Sequence, residues 1–105
     1  MKITGYCKEG VLTLNFSGEL DHHSARAAMK ALTERIDAFL PRDCVLNFKE
    51  LTFMDSSGIA MILRADKRMK EIDGRLFVKN VPSQPMRVLD ASGIDRMIHI
   101  TDANT

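Results

Sequence analysis

The stretch FMDSSGIAMIL, residues 53–63, decides how this chain folds. An apolar run stops at Asp55-Ser56-Ser57-Gly58 and resumes with helical spacing, so the polar residues mark the junction of a buried segment and a helix start. Ser56 or Ser57 is the expected N-cap, its hydroxyl accepting a first-turn N–H. Gly58 adds little steric cover and leaves the helix start open to a partner. On spacing alone a plain capping box with no further role explains the same residues. Yet α/β proteins place function at such junctions, in the crevice outside the carboxyl ends of their strands.

Upstream, CVLNF (44–48) is short, β-rich and nearly continuous in apolar character, which predicts a strand covered on both faces. Before it, a helix is expected from an N-cap at Ser24. Ala25, Ala28, Met29, Leu32, Ile36, Phe39 and Leu40 form its apolar face, Arg26, Lys30, Glu34 and Asp37 the other, and Pro41 ends it. GELDHH (18–23) reads as a loop. ITGYC (3–7) and VLTLNFSG (11–18) alternate apolar and polar residues about the turn KEG, the pattern of an antiparallel hairpin.

Downstream, the helix from Ser57 to about Ile72 buries Ile59, Ile62, Ala65, Met69 and Ile72. Asp73-Gly74 stops it, with Gly74 available as the left-handed residue. RLFVKNV (75–81) reads as a strand. Ser83, with Pro85 in the first turn, starts a third helix that carries Met86 and Leu89 and closes at Gly93. MIHI (97–100) is a last short strand, and TDANT (101–105) a frayed tail. The order β-β-α-β-α-β-α-β predicts an α/β fold. Its sheet is mixed, with parallel strands joined by crossover helices and one antiparallel hairpin at the start.

The 105 residues fit one domain spanning 1–105 that buries a core without disulfides or metals. A net charge of +1 gives no basic excess to attract nucleic acid. No apolar run is long enough for a membrane span, and the N-terminus lacks the apolar core of a secretory signal. Cys7 and Cys44 stand apart in apolar, strand-like surroundings, which predicts buried reduced thiols and a cytoplasmic setting. The seven Met, in a chain with no Trp, read mostly as core gap-fillers.

Ser56 and Ser57 admit a regulatory and a catalytic reading. A serine at a helix N-terminus is a good phosphate acceptor. The added charge of roughly −1.5 to −2 is tolerated by free N–H groups and the helix dipole, while the surface potential changes sharply. Asp55 supplies a further negative charge beside it. The competing reading is a hydrolase nucleophile on a sharp strand-to-helix turn, but the pattern is D-S-S-G rather than G-x-S-x-G. Candidate bases are His22, His23 and His99. His99 reads as a strand side chain. The rings of the neighbouring His22 and His23 are expected to point differently, in a surface loop ahead of Ser24, and not to form a ready pair. No pattern calls for a metal or an organic cofactor.

GELDHHSA (18–25), followed after a helix and a strand by LTFMDSSGI (51–59), resembles the anti-sigma factor antagonists of the STAS domain family, sporulation type. The likeness extends to LDASGIDRMIHI (89–100). It implies a β-α superhelix around a mixed sheet, and a binding protein rather than an enzyme. The unphosphorylated antagonist would bind an anti-sigma factor that is also a serine kinase, releasing the sigma factor. The kinase would phosphorylate the first serine of D-S-S-G, here Ser56, and a serine phosphatase would reverse it. The resemblance assigns Glu19, Leu20, Asp21, Asp55, Ser57 and Gly58 to the partner surface, with Asp21 expected to be a purely surface carboxylate. The segment after MIHI is shorter than the family's usual final helix. Two alternatives are a STAS regulator of another pathway, such as a stress-signalling scaffold, and a small serine hydrolase.

Overall fold

A computed structural model describes residues 1–102. The chain begins with strands β1 (Lys2–Lys8) and β2 (Val11–Leu20), followed by helix α1 (Ala25–Phe39), strand β3 (Asp43–Met54) and helix α2 (Ser56–Glu71). Strand β4 (Arg75–Val81), helix α3 (Ser83–Ser92), a 3-10 turn at Ile94–Arg96 and strand β5 (His99–Asp102) complete it. The predicted order of strands and helices holds. The five strands lie side by side in chain order, β1 antiparallel to β2 and all later neighbours parallel. Thr101 and Asp102, expected in the frayed tail, belong to β5; the rest of that tail, 103–105, lies outside the described residues.

Each crossover helix steps the chain one strand in the same direction. Right-handed crossovers that always step the same way put every helix on one face of the sheet. The burial pattern agrees. Leu12, Leu14 and Phe16 of β2, Cys44, Leu46 and Phe48 of β3, and Leu76 and Val78 of β4 are buried toward the helices. Phe16 and Phe48 meet edge to face, with centroids 5.3 Å apart. Val45 and Asn47 are only half-buried, so β3 is covered on one face and not on both. On the open face Asn15, Asn47 and Asn80 form a side-chain ladder, with contacts of 2.9 and 3.1 Å.

Strands β2 and β3 run further than the sequence suggested, and the reason is a bulge. Their register slips between Asn15 and Ser17 and again between Gly18 and Glu19. Beyond Phe48 the buried positions of β3 become Leu51 and Met54, a spacing of three that breaks the two-residue alternation. Glu19 and Leu20, expected in a loop after Gly18, are therefore strand. Phe39 and Leu40 do not belong to the core face of α1: they are 54% and 61% exposed where the helix ends. In α2 the buried stripe is Gly58, Met61, Ile62, Ala65, Asp66 and Met69, with Ile59 and Ile72 at its half-buried margins. The left-handed residue after α2 is Asp73, φ 59°, not Gly74. Gly74 is needed for room, since a Cβ there would lie 2.5 Å from Met69 Cε and 2.9 Å from the Arg42 carbonyl.

Candidate functional site

The parallel register places Leu20 opposite Met54, so the carboxyl ends of β2 and β3 stop side by side. The turns that leave them, residues 21–24 and Asp55, are neighbours for that reason. Asp55 holds both turns together. Its Oδ1 accepts from Ser57 N at 2.8 Å and caps α2, and its Oδ2 accepts from His22 N at 3.1 Å across to the other turn. Its own N–H donates to the Leu20 carbonyl at 3.2 Å. The N-cap is thus Asp55 and neither serine; an ionised carboxylate is a strong acceptor for a first-turn N–H.

A third junction closes the site from the other side. Gln84, in the first turn of α3, donates from Nε2 to the Met54 carbonyl at 2.9 Å and accepts from Met54 N at 2.8 Å. These two bonds satisfy the backbone of the last residue of β3, where no further strand pairing is available. The sequence reading missed Gln84, because nothing in local spacing shows that it reaches residue 54.

The Asp21 turn is built differently. Asp21 Oδ1 accepts from His23 N and Ser24 N, each at 3.0 Å. Donation from the Ser24 N–H is the main influence that holds the Asp21 carboxyl below the ordinary carboxylate range. Ser24 occupies the expected N-cap position but makes no capping bond to α1. Its hydroxyl donates to the Glu19 carbonyl at 2.7 Å and accepts from Asp21 N at 3.0 Å. Asp21 is therefore a structural residue as well as a half-exposed one, against the expectation of a purely surface carboxylate.

Ser56 is exposed in the first turn of α2, and among the described residues its hydroxyl has no hydrogen-bond partner. It is not on a strained turn: its backbone φ is not among the positive values, which fall on Glu9, Leu40, Asp73 and Asn80 outside glycine. A hydrolase nucleophile elbow needs that strain. Ser57 is half-buried beside it, and Glu19 is exposed on the rim. Leu20 and Gly58 do not form surface as expected. The Leu20 side chain is fully buried, and a Cβ on Gly58 would lie 2.5 Å from Met54 Cγ and 3.1 Å from Leu20 Cδ2. These two residues let α2 sit close on the ends of β2 and β3.

The His22 and His23 rings meet edge to face, centroids 5.5 Å apart and planes at 65°, so they touch while pointing differently. His99 packs against Phe77, also edge to face, at 5.6 Å. Among the described residues no group of three or more His, Cys, Asp or Glu gathers as metal ligands. Cys44 is buried, and burial pushes its thiol up to about 12; Cys7 is half-buried, and both are free. No helix among the described residues is long and apolar enough to cross a membrane.

The model of the STAS domain family matches residues 2–104. The anti-sigma F factor antagonist of Paenibacillus polymyxa is 38% identical over 93 residues, covering 89% of this chain and 80% of that protein. SpoIIAA, an anti-sigma factor antagonist solved in its unphosphorylated form, superposes with a TM-score of 0.73 at 25% identity, over 97% of this chain and 89% of the other. The phosphorylated form of SpoIIAA, from Bacillus, superposes with a TM-score of 0.70 at 26% identity, over 98% and 94%.

Proposed function

The chain belongs to the STAS domain family, and we propose that within it this protein is a sporulation-type anti-sigma factor antagonist switched by phosphate at Ser56. The unmodified protein binds an anti-sigma factor that is also a serine kinase, and so releases a sigma factor. Phosphorylation of Ser56 ends that binding, and a serine phosphatase restores it. The observation that carries this reading is the Ser56 hydroxyl, exposed and without a hydrogen bond at the start of a helix capped by a different residue.

The physical chemistry favours a switch that spares the scaffold. Ser56 contributes no cap, so esterifying its hydroxyl removes no bond that the fold uses. The helix N-terminus tolerates the new charge. A partner docked on Glu19, Asp21, Asp55 and Ser57 would meet a near-doubly charged group beside the Asp55 carboxylate, with the repulsion and desolvation that this brings. Similarity to SpoIIAA in both its unphosphorylated and phosphorylated forms supports a fold that persists through modification. The two free thiols support a reducing, cytoplasmic setting.

Incubation with the partner kinase and ATP, followed by mass spectrometry, tests the assignment. Phosphate on Ser56, absent from Ser56→Ala, is the expected result. Phosphate on Ser57 alone, or esterase activity that disappears in Ser56→Ala, would overturn it.

A further inference from the structure

Beside the switch, a groove of about 700 Å³ opens between α1 and α2, lined among others by His22, His23, Arg26, Ser57 and Arg64. It continues along the same helices past Lys30 and Thr33, and then past Lys67. Met29, Ala27 and Ala60 give it an apolar floor. Arg26, Lys30, Arg64 and Lys67 are exposed, and among the described residues none of them is ion-paired. The acidic residues on these helices offset them only in part. Asp66 pairs with Lys70 and Asp37 with Arg68 at 2.6 Å, Glu34 lies off the lining, and Glu71, 3.7 Å from Arg68, is the one carboxylate at the Lys67 end of the groove.

We infer that this groove receives an acidic segment of the same protein partner that reads Ser56, so that the partner is held at two adjoining places. The inference rests on the reading of Ser56 as the switch. Four unpaired cations in two rows facing an apolar floor match carboxylates flanking an apolar side chain. The lining holds no Phe, Tyr or Trp, and its two imidazoles, His22 and His23, pack edge to face on each other. Continuity decides the partner. The groove begins at Ser57, one residue from the phosphate acceptor, within the distance of about 10 Å over which charges act at ~0.1 M salt. Ser56 itself opens toward α3, beside Gln84 and Arg87, but its phosphate is near enough to repel an acidic segment at the Ser57 end of the groove, and this gives the switch its leverage.

The test is calorimetric titration of the full chain with the purified anti-sigma factor kinase at ~0.1 M and ~1 M salt. Lys30→Glu with Arg64→Glu should bind about tenfold or more weakly at low salt, with the gap closing at high salt, where the screening length is about 3 Å. Lys30→Arg with Arg64→Lys should bind like the parent. If charge reversal prevents folding, Lys30→Gln with Arg64→Gln carries the test, with a smaller loss expected. Failure of the unaltered chain to bind would overturn the functional reading itself. Binding by the unaltered chain that charge reversal leaves unchanged would overturn only the groove. The groove's role toward the kinase is overturned in the same way if the reversed variant keeps kinase affinity but loses binding to a dT20 oligonucleotide, to phosphatidylserine vesicles or to a second copy in sedimentation.

Discussion

Two turns leave the sheet side by side, each with an aspartate followed by serine, and they treat their serines in opposite ways. In the turn after β2, Ser24 is consumed: its hydroxyl donates to Glu19 and accepts from Asp21. In the turn after β3, Asp55 does all the capping and Ser56 is left exposed and unbonded. The same residue types therefore make one locked turn and one turn with a free reactive group. In both, an aspartate Oδ1 accepts from the N–H two residues on; what separates them is whether the serine hydroxyl is bonded into the turn. A serine whose hydroxyl is bonded into its turn cannot be esterified without loss to the fold; a serine left unbonded can.

The largest effect that tests this contrast is on binding. Ser56→Asp should fold with an unchanged melting temperature and lose about a hundredfold in affinity for the kinase partner, or about 2.7 kcal/mol, read by calorimetry. Next comes the packing under the free serine. Gly58→Ala must displace Met54 and Leu20, and should cost about 2 kcal/mol and lower the melting temperature by about 10 °C. Asp55→Ala removes the cap of α2 and its tie to His22, and chemical denaturation should show a loss of about 1 kcal/mol.

The locked turn gives a pH-dependent effect. Backbone N–H donation holds the Asp21 carboxyl below its unfolded value, so its contribution is fully present above the ordinary carboxylate pKa of about 3.9 and is lost as pH falls through the lower folded-state value. Asp21→Asn should therefore flatten the acid limb of the stability curve below about pH 4 and leave the neutral limb parallel to that of the parent. Asp43, held low mainly by Arg75, would keep part of the acid dependence in both proteins. The smallest effect is at Ser57→Ala, which should still be phosphorylated on Ser56 and melt within a degree or two of the parent, by mass spectrometry and circular dichroism.

The sequence made the order of strands and helices legible because each helix repeats its apolar residues at three and four, and Pro41 and Gly93 punctuate the chain. It also showed the D-S-S-G turn. What it hid was non-local. The bulges in β2 and β3 break the alternation on which strand ends are read, so Glu19 and Leu20 looked like loop. One-sided covering of β3 follows from the direction of three crossovers, not from the composition of CVLNF. The partners of Asp55 and Gln84 lie 33 and 30 residues away in sequence, out of reach of any spacing rule.

The most direct measurement compares the affinity of the Ser56-phosphorylated chain for its anti-sigma factor kinase with that of the unmodified chain, with melting curves recorded on both. The unmodified chain alone should bind, and the two melting curves should superimpose. Equal affinity, or a phosphorylated chain that has come unfolded, would contradict a switch that spares its scaffold.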